Sequence, residues 1–235
     1  MTTHSVRILS AALATAAMSL YRAAPALADD VPSNSARIGL YSVFFHVKAD
    51  DLSGPYVPPG ANLDAQNVNT LYLGYVRRLS SHFDVELAIG YPPLQKTEGK
   101  GPATLGSVPY DGQVIATARW LAPTVLFEYK FFDDSSKLRP YIGAGVNYTA
   151  FYDRNSTAQG NAASGGPTKL SLTSSVGPAG TAGLAYNIGG HWNAYASYSI
   201  SQVKTKLNAD TAGVIRTTHI SFGPQVFIAS VGYSF

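Results

Sequence analysis

The sequence lacks cysteine, is poor in charge and has no long apolar run. Because none of its 235 residues is Cys, it has no thiol nucleophile, thiolate metal site or disulfide framework. Only 13% of the residues are Asp, Glu, Lys or Arg, against roughly 25% in soluble domains. No stretch approaches about 18 uninterrupted apolar residues, so the sequence predicts no transmembrane helix.

Basic residues are neither numerous nor clustered. Of the 17 Lys and Arg residues, Arg7 and Arg22 lie in the N-terminal segment, which leaves 15 basic residues against 14 acidic ones. The sequence has no Lys/Arg run, whereas a basic patch is the usual electrostatic footprint of a nucleic-acid-binding protein. We therefore predict that nucleic acid is not a partner.

The N-terminus has the order of features found in a secretory signal peptide. Arg7 is followed by the apolar run Ile8–Met18, and a small-residue pattern ends at Ala28. This order predicts export and cleavage after Ala28. The alternative is a membrane anchor, but the run is shorter than the roughly 20 residues that span a bilayer. We predict a signal peptide at residues 1–28 and one domain at 29–235, which is periplasmic, secreted or a membrane barrel.

Apolar and polar side chains alternate along much of the mature chain. A period of two over about ten residues is typical of a strand in a membrane barrel, which shows one face to lipid and the other to the lumen. We predict an all-β fold, an eight-stranded antiparallel transmembrane β-barrel. The predicted strands lie at or near residues 37–48, 69–79, 83–91, 121–131, 142–149, 184–188, 192–201 and 222–235.

The connections between these strands are of two kinds. Three are short, at residues 80–82, 132–138 and 189–191. Four are longer and rich in Gly, Pro, Asn and Thr, at residues 50–68, 92–119, 153–173 and 204–220. The alternation of short and long connections predicts short periplasmic turns and longer extracellular loops.

Periodicity alone also fits a soluble eight-stranded barrel, in which the apolar face points inward. The C-terminus favours the membrane barrel, because an alternating apolar row ends on the last residue: Phe227, Ala229, Val231, Tyr233 and Phe235. This ending resembles the signal by which outer-membrane barrels are recognised for insertion. We therefore expect a bacterial outer-membrane location, with lipid and lipopolysaccharide around the wall, and with the barrel-assembly machinery as a partner through Phe235.

Several segments resemble the OmpW/AlkL family of outer-membrane proteins. The most specific match is Arg139–Phe151, which follows a strand of the family's type at Leu121–Phe131. Residues 175–186 and Trp192–Ala194 are similar to the family's sixth and seventh strands. The resemblance implies a narrow barrel with an apolar lumen. It also implies a passive channel that admits small hydrophobic molecules and releases them sideways into the membrane.

Physical reasoning supports a narrow apolar lumen. Eight strands enclose an interior wide enough only for side chains or one small ligand. The lumen-facing phase of the last strand would hold Phe222, Pro224, Val226 and Ile228. These four residues are the candidate lining of the permeation path.

Other lumen and wall residues have two interpretations each. Pro92 and Pro178 are candidate lateral exits, because proline cannot donate to a strand ladder, although proline also simply ends strands. Glu86, Glu128 and Lys130 are predicted lumen charges that pair and fill the barrel, either as a structural plug or as a gate.

Two other functions stay open. A structural or adhesive surface barrel would carry its function in the loops. A lipid A hydrolase would use His219 and Ser221, which share one face of a strand, although spacing identifies no carboxylate to orient the histidine. The scattered histidines show no metal-site spacing, and we predict no enzyme activity, no cofactor and no metal.

Overall fold

The computed structural model describes residues 33–105 and 108–235. The predicted signal peptide, residues 1–28, lies outside them and stays a prediction. The described part is almost entirely strand, with one short helix, α1 (Ala158–Ser164). The strands are β1 (Asn34–Phe44), β2 (Val47–Ala49), β3 (Asn62–Ala65), β4 (Val68–Arg78), β5 (Phe83–Gly90), β6 (Leu94–Lys100), β7 (Thr104–Leu105), β8 (Val108–Pro109), β9 (Val114–Leu121), β10 (Thr124–Lys130), β11 (Leu138–Ser156), β12 (Thr168–Leu172), β13 (Ser175–Gly189), β14 (Trp192–Ser201), β15 (Val203–Thr211), β16 (Val214–Phe222) and β17 (Gln225–Ser234).

Eight of these strands close into an antiparallel barrel. They are hydrogen-bonded in the order β10, β5, β4, β1, β17, β14, β13 and β11, and β11 pairs back onto β10. The N-terminal strand β1 pairs with the C-terminal strand β17 along its length, from Ser35 opposite Ser234 to Phe44 opposite Gln225. The predicted fold class is therefore confirmed.

The barrel wall is apolar outside and polar inside at the end where the strands are joined by short turns. On β1, Ile38 and Leu40 are 51% and 54% exposed, whereas Arg37 on the inward face of the same strand is only 4% exposed. On β5, Asp84 and Glu86 are buried while Phe83 is exposed. A soluble barrel would have the opposite arrangement, so that alternative is wrong, and the outward face matches a lipid environment.

The predicted short turns and longer connections are both present, and the longer connections contain strands of their own. Beyond the closed barrel, the wall continues as two ladders, β12–β15–β16–β2 and β11–β9–β6–β3. The β15–β16 hairpin turns at Ala212 and Gly213, both with positive φ. Threonine and alanine, rather than large apolar residues, hold many inward positions there, for example Thr205 and Ala209. The alternation is consequently hard to see in the sequence.

Proline positions divide the closed barrel from the ladders at the loop end. The last predicted strand, residues 222–235, is interrupted at Gly223 and Pro224, and the fourth, residues 121–131, begins only after Pro123. The first predicted strand is also divided, between β1 and β2, but this break lies at Phe45 and His46 and contains no proline. Because proline has no N–H to donate, it accounts for the breaks at Pro123 and Pro224 and not for the break in the first strand.

Helix α1 is short and well capped. The side chain of Thr157 accepts a hydrogen bond from the Gly160 backbone N–H, and Gly165 ends the helix in the left-handed conformation. Within the described residues, no helix has the length and apolar character needed to span a membrane.

Candidate functional site

The interior of the barrel contains three layers between the loop end and the turn end. We call them the loop-end cavity, the aromatic constriction and the charged cluster. The inward side chains of the barrel strands and of their loop-end continuations build all three. Their geometry decides which molecules the interior can hold.

The loop-end cavity has a volume of about 520 Å³. Its walls come from both loop-end ladders and from α1, and they are largely apolar, with Leu63, Leu170, Leu207 and Ile220 among the lining residues. Tyr110 also lines it, and burial raises the pKa of the Tyr110 hydroxyl to about 12. That phenol therefore presents a neutral group to the cavity at physiological pH.

The aromatic constriction lies where the cavity narrows toward the closed barrel. It consists of Phe45, Trp120, Phe151 and Phe222, and the last three line both the wide cavity and the small void of about 40 Å³ beneath it. The ring centroids of Phe45 lie 6.3 Å from Trp120 and 5.8 Å from Phe222, and those of Phe151 and Phe222 are 6.1 Å apart. Rings at these separations pack edge to face or tilted, so they form a continuous apolar collar.

The four lumen candidates of the last strand segment all point inward. Phe222, Pro224 and Val226 line the void beneath the constriction. Ile228 lies one step deeper and lines a void of about 30 Å³ together with Val226. A void of this size has room for a water molecule but not for an organic solute.

Sequence reasoning missed the other members of the constriction. Phe151 has the same strand parity as Asn147, which lines the interior, so extending the alternation of the predicted strand at 142–149 would have found it. Parity would also have found the other two: Phe45 has the parity of the inward Val43 in the predicted strand at 37–48, and Trp120 extends the inward parity of the predicted strand at 121–131 by one residue.

The charged cluster fills the barrel below these voids. Arg37 Nη1 lies 3.2 Å from Glu86 Oε2, and both side chains are almost completely buried. The Tyr72 hydroxyl also donates to Glu86, and the Arg37 guanidinium lies 3.7 Å from the centroid of the Tyr195 ring. The cluster therefore combines an ion pair, a hydrogen bond and a cation–π contact in one layer.

The predicted lumen charges belong to this layer but do not all pair as expected. Lys130 forms an ion pair with Asp84 on the neighbouring strand. Glu128 is fully buried, and neither carboxylate oxygen has a hydrogen-bond partner in the described part of the chain. Arg78, at the end of β4, pairs with Asp134 at a turn. Sequence reasoning missed Arg37, although Arg37 alternates with the apolar Ile38 along the strand and is therefore expected to point into the lumen.

The two candidate exit prolines lie in different surroundings. Beside Pro92, the ladder between β5 and β10 ends at Ala88 opposite Thr124, and pairing resumes only at Leu94 opposite Arg119. Within the described residues, no backbone hydrogen bond joins residues on the two sides between these pairs. The wall therefore has a gap in its ladder here.

Pro178 shows no such gap. It lies inside β13 opposite Val146, and its carbonyl accepts a hydrogen bond from the Gln202 backbone N–H at 3.1 Å. The β13–β14 ladder begins at the next residue, Ala179, opposite Ser201.

His219 and Ser221 lie on the outward side of β16, where both line an open pocket of about 490 Å³ that is separate from the loop-end cavity. The nearest charged partner of His219 is Asp50, with Nδ1 and Oδ2 3.8 Å apart and both side chains mostly exposed. This separation exceeds hydrogen-bond distance. In the described residues the Ser221 hydroxyl and the His219 ring form no hydrogen bond with one another, so no nucleophile–base pair is assembled.

Comparison with known proteins gives a consistent set of likenesses. The sequence profile of the OmpW family matches residues 37–235. Outer membrane protein W of Salmonella typhimurium is 34% identical over 172 residues, 73% of this chain and 76% of that protein. Dibenzothiophene metabolism operon protein PahQ of Pseudomonas aeruginosa is 31% identical over 134 residues, 56% of this chain and 58% of that protein. The crystal structure of outer membrane protein OprG from Pseudomonas aeruginosa has the same fold, with a TM-score of 0.78, 23% identity, and coverage of 87% of this chain and 96% of that one.

Proposed function

Because the chain belongs to the OmpW family and is a barrel of the bacterial outer membrane, we propose that it is a passive channel for small hydrophobic molecules. It is a channel and not an enzyme. The observation that carries the proposal is the apolar cavity of about 520 Å³ that narrows onto the aromatic constriction. Cavities of roughly 300–1,000 Å³ with apolar walls are typical of small-molecule sites.

The chemistry of the lining selects against polar solutes. A sugar or an ion that enters the constriction loses its water and finds aromatic rings in exchange, and burying an unsatisfied polar group is unfavourable by about 1–3 kcal/mol. An apolar solute loses nothing comparable. The similarity to a protein named for dibenzothiophene metabolism, which concerns an apolar ring compound, agrees with this selectivity.

The exit of the solute is sideways, beside Pro92. An axial route would separate the buried Arg37–Glu86 pair, and breaking such a pair is unfavourable by about 3–5 kcal/mol. The ladder gap next to Pro92 has Trp120 and Ala122 of the interior lining on one side and the exposed Tyr91 on the other. A solute in the constriction therefore faces lipid across a stretch of wall that lacks ladder hydrogen bonds. The Pro92 carbonyl accepts a hydrogen bond from the Arg119 side chain at 3.1 Å, which is not part of a strand ladder. Pro178 accepts a backbone hydrogen bond from Gln202 and lies next to the start of the β13–β14 ladder, so it is the weaker exit candidate.

The surroundings of the channel follow from the same surface. The exposed apolar wall sits in outer-membrane lipid and lipopolysaccharide. We further propose that Phe235 is read by the barrel-assembly machinery. Its side chain is exposed, and its backbone N–H donates to the Asn34 carbonyl at 2.8 Å, which ties the last residue to the first strand of the barrel.

Uptake of labelled octane by cells with and without the protein tests the channel, with labelled glycerol as the polar control. We expect faster octane uptake and unchanged glycerol uptake. Ala122→Phe, which fills the interior, should abolish the increase, whereas Val125→Phe on the exposed face should preserve it.

Unchanged octane uptake by correctly inserted protein would overturn the proposal and direct attention to an adhesive role of the loop end. Lipid deacylation that disappears with Ser221→Ala would instead support the hydrolase.

A further inference from the structure

We propose that the loop-end cavity binds apolar molecules that carry one carboxylate, such as a medium-chain fatty acid, and that Arg154 and Arg216 hold the carboxylate. The proposal rests on the proposed function and names a substrate class for the same cavity. It comes from the distribution of charge in the lining, which the uptake of neutral hydrocarbons does not explain.

The lining of the loop-end cavity contains charges of one sign only. Arg154 of β11 and Arg216 of β16 both line it, and the residues that the structure describes around it include no Asp, Glu, Lys or His. The remaining lining side chains are apolar or neutral. Both arginines are only half-buried, and a neutral solute that fills the cavity would cover their charges without pairing them, which is unfavourable.

Neither arginine has an acidic partner within the described residues. Arg154 Nη1 reaches only the carbonyls of Phe151 and Leu172, both at 3.5 Å, which is beyond the usual hydrogen-bond range. Its other N–H groups make no hydrogen bond in the described part. Since a guanidinium carries five N–H donors, most of the Arg154 donors are available to a ligand.

Arg216 is held in place but remains uncompensated. Its Nε donates to the Pro55 carbonyl at 3.1 Å, and its Nη1 donates to the Ser164 carbonyl at 3.2 Å and to the Thr211 hydroxyl at 3.3 Å. These partners are neutral, so they position the guanidinium without cancelling its charge. A positioned guanidinium matches the two oxygens of a carboxylate in a bidentate contact.

Arg119, a neighbouring arginine, has the acidic partner that Arg154 and Arg216 lack in the described part of the chain. Arg119, which does not line the cavity, lies 3.5 Å from Asp153. Asp153 is next to Arg154 in the chain, yet it pairs with Arg119 and not with Arg154. Charge is therefore balanced outside the cavity wall and left unbalanced inside it.

Fluorescence of Trp120 can measure binding directly. The chain has two tryptophans, and Trp192 lies exposed at the turn end, so Trp192→Phe leaves Trp120 as the sole reporter in the cavity wall. The probes are bromine-labelled decanoate and its methyl ester, which quench the reporter when they bind. The protein is reconstituted in phosphatidylcholine vesicles at a mildly alkaline pH, at which the carboxyl group is ionised.

We expect the Trp192→Phe protein to bind the acid more tightly than the ester. Arg154→Gln should weaken acid binding about tenfold, because a charge-assisted bidentate contact is lost, and Arg216→Gln should weaken it further. Ester binding should stay unchanged. Arg119→Gln is the matched control and should leave both probes unaffected. Added salt should weaken binding of the acid only.

The outcomes separate this inference from the proposed function. If neither probe binds correctly inserted protein, the channel itself is contradicted. If the ester binds and the acid binds no better, or if the Arg→Gln changes affect both probes equally, only the carboxylate site is overturned. If Arg216→Gln fails to insert, Arg154→Lys is compared with Arg154→Gln. Because the lysine keeps the positive charge, it should retain most of the preference for the acid that the glutamine variant loses.

Discussion

At the turn end of the barrel, inward positions carry Arg37 and Glu86, whereas at the loop end of the same wall they carry Val43 and Val226. Arg37 and Val43 even belong to one strand, β1, and point to the same side of it. The charged half is packed around two ion pairs, Arg37–Glu86 and Lys130–Asp84, and the apolar half contains the voids and the cavity. The difference makes the two ends of the interior unequal. A solute that enters from the apolar half reaches the closed charged layer, so its remaining way out is through the barrel wall.

The largest expected effect comes from breaking the charged half. Glu86→Ala leaves Arg37 buried without its carboxylate, and we expect the free energy of unfolding to fall by about 3–5 kcal/mol. Urea unfolding in lipid vesicles, followed by tryptophan fluorescence, measures this change. The double change Arg37→Met with Glu86→Leu replaces the pair by apolar side chains and should be close to neutral. Equal losses in the single and double variants would show that shape, not charge, governs this layer.

The second-largest effect is expected when a carboxyl group of the kind found in the charged half is introduced into the apolar half. Val226→Asp places a carboxylate beneath the aromatic constriction, where no cation lines the void. Because a buried carboxyl without a cation takes up a proton, we expect the loss for an unsatisfied neutral group, about 1–3 kcal/mol in the free energy of unfolding, together with loss of octane uptake. Val226→Ala is the control for lost volume and should keep uptake. Preserved uptake in the aspartate variant would mean that solutes do not pass this level.

Sequence reasoning found the wall and most of its inward positions because alternation is a local property. Phe227 and Val231 indicate the lipid-facing side of the last strand. Val226 and Ile228 alternate with them and are therefore expected to point inward. Parity fixes the side of the wall but not the partner across it. The pairing of Glu86 with Arg37 depends on strands far apart in the sequence, and so does the meeting of Phe45 with Trp120.

The loop end was predicted least well, for a physical reason. Residues 204–220 contain four Thr and two Lys residues and few large apolar ones, and we predicted a loop there, yet β15 and β16 are regular strands. Their order comes from pairing with each other and with β12 and β2. Arg154 and Arg216 consequently carried no signal in the sequence, since their common feature is the cavity that the ladders enclose.

A smaller effect should separate the two candidate exits. Pro92→Ala restores a backbone N–H at the ladder gap, so we expect transfer of octane from the cavity into the bilayer to slow several-fold while binding in the cavity is unchanged. Pro178→Ala lies where the wall is already hydrogen-bonded and should leave transfer unaltered. Stopped-flow transfer into vesicles that hold an apolar fluorophore measures the rate. Slowing by Pro178→Ala alone would move the exit to the β13–β14 side.

The smallest effect is expected where charge is paired outside the interior. Arg78 and Asp134 form an ion pair at a turn, and both side chains are partly exposed. Exposed pairs contribute about 0–1 kcal/mol, so Arg78→Ala should barely change the free energy of unfolding or octane uptake. The same urea titration used for Glu86→Ala provides the measurement. A loss as large as that of Glu86→Ala would mean that the turn-end rim, rather than the buried cluster, holds this half of the barrel together.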